Sequence, residues 1–374
     1  MINEQRLLET FLELVQIDSE TGHEEIIQPI LKEKFESLGL TVKEDNAGEQ
    51  PDLGANNLIC TLAATENHNK TQKIYFTSHM DTVAPGIGVK PIIKDDGYIY
   101  SDGTTVLGAD DKAGIAALLE LIQVLKENQI PHGQIQFVIT VGEESGLLGA
   151  KALNPELLDA QFGYAVDASA PIGTTVLGAP TQMKLSAVIH GKKAHASTPD
   201  KGVSAINVAA KAVSKMKLGK IDDETTANIG SFTGGSATNI VADEVTLHAE
   251  ARSHDNNKIE AQINHMKQVF EETAEAYGCS ADVFTSKSYQ GFKVAEDAKV
   301  TQYAVKSAQS LGLSGNTVVA GGGSDGNIIN ALGIPTVIIG IGYQNIHTTE
   351  ERMEIQSLNL LAEQLLKIVE LTSD

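Results

Sequence analysis

The sequence predicts an α/β protein: a mixed, largely parallel central sheet flanked by helices, with a smaller α+β domain inserted into it. Three observations carry that expectation. Strand-like and helix-like segments alternate through the first 178 residues, and the strands are near-continuous apolar runs, as strands covered on both faces must be. From about Pro180 the texture changes to alternating strands and amphipathic helices, and after Gly291 the first texture returns. At 374 residues the chain also exceeds the size at which a single core usually keeps growing, so two domains are expected.

The chain opens with "MINEQRLLETFLELVQIDS", apolar at helical spacing with acids interspersed. It lacks the basic and apolar regions of a signal peptide and is expected to be a first amphipathic helix. A second helix, "HEEIIQPILKEKFESLGL", stops at Gly39. The strands "NNLICTLAA", "KIYFTSHMD", "QIQFVITVGEES" and "GYAVDAS" follow, with the long helix "KAGIAALLELIQVLKENQ" between the second and third. Beyond Pro180, "MKLSAVIHGK" alternates as a half-exposed strand does, and "GVSAINVAAKAVSKMKL" is an amphipathic helix. "ANIGSFTGG", "EVTLHAEARS", the helix "NNKIEAQINHMKQVFEETAEAYG" and "SADVFTSKSYQ" complete a β-α-β-β-α-β order. Residues 179–289 are therefore read as the inserted domain, and 1–178 with 290–374 as the main one. The main domain resumes with helix "TQYAVKSAQSLG", strand "TVVAG", helix "NIINALG", strand "PTVIIGIG" and a last amphipathic helix.

Lys and Arg total 28 against 49 Asp and Glu, a formal charge of −21. So acidic a balance excludes nucleic acid and anionic membranes as partners, since both require basic surface. Cys60 and Cys279, far apart and outside any C-x-x-C spacing, exclude a cysteine zinc site and a disulfide scaffold. No apolar run approaches the roughly 20 residues that span a bilayer, so a soluble, cytoplasmic protein is expected.

Acidic and histidine residues gather where the strands are expected to end, which is where open α/β sheets form their sites. His79 and Asp81 follow "KIYFTS", Glu143 and Glu144 follow "QFVITVG", Asp167 follows "GYAV", and His347 lies beyond "TVIIGIG". Asp110 and Asp111 stand at the start of the long helix. Each alone has a plain reading as a cap, a loop residue or a solvated turn. Five such positions, all carrying carboxylate or imidazole, favour a site for Zn²⁺ or a similar divalent ion. Neighbouring strand side chains point to opposite faces, so Glu143 and Glu144 reach one site only from an irregular turn. One can then ligate a metal while the other faces a water. A metal that lowers the pKa of a water, beside a free carboxylate that takes its proton, is an apparatus for hydrolysis.

"GGGSDG" also matches G-x-G-x-x-G at Gly321, Gly323 and Gly326. The strand that follows lacks the acidic residue that holds a ribose about 20 positions on, which argues against a dinucleotide. Glycines at 322 and 323 are read instead as letting a substrate backbone approach closely.

"SHMDT", "LGADDKAGIA", "GEESG", "VDAS" and "IHTTEE" resemble, in order and spacing, the metal motifs of the two-zinc exopeptidases and deacylases. That family includes peptidase T, glutamate carboxypeptidase, aminoacylase and succinyl-diaminopimelate desuccinylase. "LGADDKAGIA" with "IPHGQIQF" and "GGGSDGN" resembles the peptidase T branch most. The resemblance implies two Zn²⁺ per subunit, with Mn²⁺ or Co²⁺ as substitutes. It assigns His79 and Asp167 to one metal, Glu144 and His347 to the other, and Asp110 to both. It makes Glu143 the general base and Asp81 the carboxylate that orients His79. It further implies a cis peptide between Asp110 and Asp111, leaving Asp111 to cap the helix. In the inserted domain, a lid, it places His195 near the oxyanion, from the other subunit of a homodimer, and gives Arg252 a substrate carboxylate. The expected activity is release of the N-terminal residue of a small peptide. "GGSATNIVADE" resembles instead the lid signature of the carboxypeptidase and deacylase branches, with Asn239 contacting substrate, and keeps that alternative open. A binding protein without catalysis is disfavoured because the base, Glu143, is present.

Overall fold

The computed structural model describes residues 1–373, in two compact units. The first comprises Met1–Gly178, Lys293–Ala320 and the chain from Ser324 onward; the second comprises Ala179–Phe292 and Gly321–Gly323. The return to the first unit thus comes at Lys293 rather than at 290, and a three-residue piece of the glycine loop groups with the second unit.

Among the described residues, the first unit is built on a mixed sheet of nine strands. Its centre is parallel: Ile135–Thr140, Ile74–His79, Phe162–Ala168 and Thr336–Gly340 lie side by side in that order. Leu58–Leu62 and Thr41–Glu44 extend one edge antiparallel, and Thr175–Ala179 runs antiparallel to Thr336–Gly340 on the other side. Every residue of Ile74–His79 and Ile135–Thr140 is buried, which is why these strands read as near-continuous apolar runs, with Gln136, Thr77 and Ser78 as buried polar exceptions, rather than alternating ones. Register stacks Phe137 opposite Phe76 and Phe76 opposite Tyr164, and the rings follow one another at 6.0 and 5.5 Å. Such cross-strand pairs fix the alignment of the strand ends. Gly163 sits opposite Tyr75, where a Cβ would come within 2.1 Å of the tyrosine ring, so the strand requires glycine there.

Helix Ala109–Glu127 packs on strands Ile74–His79 and Phe162–Ala168 and against helices Glu4–Val15 and Ile355–Ser373. It is buried along nearly its whole length. A three-stranded sheet, Arg352–Glu354, Tyr98–Tyr100 and Ile92–Ile93, completes the unit. No sequence period marks it, because its strands are two or three residues long. The tight turn Lys94–Tyr98, with Gly97 at φ +83°, was its one signal.

The second unit is a five-stranded antiparallel sheet ordered Gly219–Lys220, Thr225–Gly234, Glu244–Ser253, Thr181–His190, Ser280–Tyr289. The expected β-α-β-β-α-β order is present, with the two-residue strand Gly219–Lys220 added. Helices Ala205–Lys215 and Asn256–Ala276 are capped by Ser204 and Asp255. They bury Val208, Ala212, Ile263, Met266 and Phe270 against Leu185, Ala187, Val245 and Leu247 of the strands. Among the described residues no helix is long and apolar enough to cross a membrane.

Candidate metal centre

The parallel strands end together, and their ends carry the acidic and histidine residues. His79 closes its strand, and Asp167 is the last but one residue of Phe162–Ala168. Glu143 and Glu144 follow Thr140 in a turn made possible by Gly142 at φ +58°, where a side chain would also strike Leu53. The two glutamates therefore leave from irregular backbone, free of strand alternation. Glu24 holds this turn by accepting the Gly142 N–H at 3.1 Å.

Asp110 is the centre of the arrangement. Its Oδ1 lies 3.1 Å from His79 Nε2, and its Oδ2 lies 3.3 Å from His347 Nε2. Beyond the first imidazole stands Asp167, with Oδ1 3.7 Å from His79 Nε2; beyond the second stands Glu144, with Oε2 3.0 Å from His347 Nε2. One carboxylate thus faces two histidine–carboxylate pairs, one with each oxygen. Donor atoms of His79, Asp110 and Glu144 fall within 4.8 Å of one another, as do those of His79, Asp111 and Asp167. The Asp110–Asp111 peptide is cis.

Asp111 does not cap the helix. Its Oδ2 accepts from the Ser78 hydroxyl and its Oδ1 has no hydrogen-bond partner, although the residue is fully buried. The helix-start N–H groups of Gly108 and Asp110 go instead to Glu351, at 2.7 and 3.0 Å. The cap comes from a residue 241 positions away, which no local pattern signals.

The electrostatics describe a site that calls for cations. Burial, then the charge of Asp167, pushes the carboxyls of Asp111 and Glu143 well above the usual range. Burial opposes a charged His79, yet Asp110, Asp167 and Asp81 outweigh it and raise the imidazole. His347 is pushed up to about 10 by Asp110 and Glu144. A pocket of carboxylates that draws protons onto both imidazoles is one in which divalent ions would replace those protons. Imidazole and carboxylate suit Zn²⁺, Mn²⁺ and Co²⁺ alike. The donor set, with its unpartnered buried Asp111 oxygen, fits a metal site.

Supporting residues fix the donors. His79 Nδ1 faces only oxygens of Asp81, the main-chain one at 3.0 Å and the carboxylate at 3.4 Å, so Nδ1 donates there and Nε2 is turned toward Asp110 and Asp167. The Asp81 carboxylate also accepts from the main-chain N–H of Glu143 and Glu144, at 2.9 and 3.2 Å, and from Thr21 at 2.6 Å. Asp81 therefore ties the histidine to the glutamate turn, a link invisible in the sequence. The Tyr343 hydroxyl donates to Asp167 Oδ1 at 3.0 Å. Asp325, read in the sequence only as part of a glycine loop, is buried with one oxygen bonded by Thr140 and the other unpartnered; burial pushes it up to about 7.

His195, Asn239, Arg252, Gly322 and Gly323 belong to the second unit. His195 is exposed, with Nδ1 2.7 Å from Ser197 Oγ, and Asn239 lies close by through the Ala196 N–H, which donates to its main-chain oxygen at 2.9 Å. Arg252 donates to Glu250 at 2.8 Å and to the Gly321 oxygen at 3.4 Å. A Cβ at Gly323 would meet the Tyr289 ring at 2.5 Å, so glycine there already answers to a tyrosine of its own unit. The helix Asp325–Ala331 that follows the loop is closed by a capping box of Ser324 and Asn327. With the buried carboxyl of Asp325 in its first turn, it offers no seat for a pyrophosphate.

Comparison with known proteins agrees with this picture. Residues 75–371 match the family described as Peptidase family M20/M25/M40. The YqjE protein of Bacillus subtilis (strain 168) is 54% identical over 99% of both chains. The peptidase T of Salmonella arizonae is 26% identical, over 98% of this chain and 99% of its own. Among solved structures, a tripeptidase from Staphylococcus aureus superposes with a TM-score of 0.97 at 68% identity, covering 100% of this chain and 99% of its own. The aminopeptidase PepT of Bacillus cereus does so with 0.92 at 53%, covering 100% of both. The motifs, the fold and these likenesses converge: the chain belongs to peptidase family M20/M25/M40.

Proposed function

We propose that this metallo-exopeptidase releases the N-terminal residue of tripeptides, using two zinc ions held at the Asp110 site. The observation that carries the two-metal part is the single carboxylate of Asp110 facing His79 and Asp167 with one oxygen and His347 and Glu144 with the other. The tripeptide part is supported by the likeness to the Staphylococcus aureus tripeptidase and the Bacillus cereus aminopeptidase.

In this mechanism His79, Asp110 and Asp167 would hold one ion, and Asp110, Glu144 and His347 the other. When bound, the ions would lower the pKa of the attacking water and polarise the scissile carbonyl. Glu143 takes the proton of that water and returns it to the departing amine nitrogen. Its partial burial beside Asp167, which raises its affinity for a proton, suits a group that must accept one and give it up again. Asp81 keeps Glu143 in place through the main chain and keeps His79 in the tautomer that ligates. From the resemblance alone we also infer a cytoplasmic homodimer joined through the second unit, with His195 and Arg252 contacting substrate. Analytical ultracentrifugation checks it; a fully active monomer would remove the trans role of His195.

A carboxypeptidase or deacylase activity on the same centre is the second reading, favoured by Asn239 lying beside His195. Tripeptides with free, acetylated or amidated ends, assayed with and without a chelator, separate the two. The aminopeptidase reading expects chelator-sensitive cleavage that acetylation of the amine abolishes. Cleavage that tolerates acetylation but needs a free carboxylate would overturn it.

A further inference from the structure

His347 is the exposed member of the centre, with 48% of its side chain accessible, on a loop far in sequence from the other donors. That loop is closed on itself. Gln344 and Arg352 exchange main-chain hydrogen bonds at 2.9 and 3.0 Å, so residues 345–351 form a bulge with paired ends. Inside it Thr348 donates to the Asn345 oxygen at 2.7 Å and accepts from the Glu350 N–H at 3.2 Å, and the Glu351 N–H reaches the Thr348 oxygen at 3.1 Å. His347 and Glu351 are thus carried by one small, internally bonded body.

Glu351 is 1% exposed and spends both carboxylate oxygens on one target. One oxygen accepts the Gly108 N–H and the other the Asp110 N–H. Those two groups lie where the backbone is least regular: Gly108 is left-handed at φ +74°, and Asp110 has non-helical dihedrals inside the helix start. Four residues away, the His347 imidazole meets the side chain of the same Asp110 at 3.3 Å. The loop therefore grips Asp110 twice, by its backbone through Glu351 and by its carboxylate through His347.

We infer that Glu351 is a positioning residue for the second metal: it sets the distance between His347 and Asp110, and so builds the Glu144–His347 half of the centre without touching an ion. The inference rests on the two-metal reading above. The His79–Asp167 half depends on Glu351 less, because His79 and Asp167 come from adjacent, register-locked strands and meet the Glu351 contact only through Asp110. Loss of Glu351 separates the two halves. Glu351→Gln replaces one acceptor by an N–H₂ that faces an N–H, and Glu351→Asp keeps both acceptors but shortens their reach.

The test is a zinc titration of chelator-stripped wild type, Glu351→Gln and Glu351→Asp. Bound zinc is counted by atomic emission after desalting, and the stripped proteins are melted in parallel. The wild type is expected to hold two ions. Glu351→Gln binds the second ion about 10–100-fold more weakly, the usual effect of losing a group behind a ligand, and loses less affinity for the first. Its activity recovers as zinc is raised, which a purely structural lesion would not allow. Two ions at wild-type affinity in Glu351→Gln would overturn the inference, as would equal weakening of both ions. If Glu351→Gln does not fold, Glu351→Asp decides: a weakened second ion supports the inference, and an unchanged one overturns it. A wild type that holds fewer than two ions would overturn the two-metal reading itself, and the inference with it.

Discussion

Glu143 and Glu144 are neighbours in sequence with opposite tasks in the proposed chemistry, and their surroundings separate them. Glu144 meets His347 Nε2 at 3.0 Å, whereas burial and Asp167 raise Glu143 against the opposing charge of His79. Glu143→Gln is therefore expected to lower kcat by about 10²–10⁴-fold, the range for losing a general base, with zinc content and KM little changed. Unchanged kcat in that variant would remove Glu143 from the mechanism. Asp110→Asn should instead lower the affinity for both ions together, since each oxygen serves one histidine–carboxylate pair. Metal counting on that variant checks it: loss of one ion with the other unaffected would contradict the bridging position. At this scale the ligand types were legible, because His, Asp and Glu at strand ends have few other uses in such number. Of the partners behind them, Asp81 was legible as the group that orients His79, but the remaining links were not. Asp81 holding two main-chain N–H groups and Glu351 capping a distant helix start leave no local trace.

The strands that bear the donors stay aligned through close contacts that tolerate little change. Gly163 lies against Tyr75, whose hydroxyl reaches Thr336 on the strand next to that of Gly163. Gly163→Ala would force the ring aside and is expected to cost about 1–3 kcal/mol of stability, as overpacked cores usually do. Thermal or denaturant unfolding reads this directly; a loss under about 0.5 kcal/mol, the scale of an unremarkable surface change, would show that the ring can move. Apolar runs and helical spacing made most elements visible in the sequence, because burial on both faces favours apolar side chains along a central strand. The three-stranded sheet and Gly219–Lys220 escaped, since elements of two or three residues carry no period to detect.

At the scale of the whole molecule, each unit has its own core, and only the first contains the candidate metal centre. Metal should therefore stabilise the first unit selectively, by about 2.7 kcal/mol at a free-ion concentration 100 times Kd. Calorimetry with and without chelator is expected to shift one transition and leave any separate transition of the second unit in place. Phe270→Ala, deep in the second core, should act the other way, costing about 3–5 kcal/mol there while leaving zinc stoichiometry at its wild-type value. A fall in bound zinc in that variant would show that the centre needs the second core.

The sequence by itself determined the α/β class, the insertion between two stretches of one domain, and the residue types of the metal donors. Those features are written in periodicity, texture and side-chain chemistry, which act locally. Tertiary structure alone decided that Asp111 is left with a bare oxygen while Glu351 caps its helix, and that Asp81 pins the glutamate turn. Each of those depends on groups brought within about 3 Å, hydrogen-bond range, from positions tens to hundreds of residues apart. Only the folded sheet and its loops set such distances.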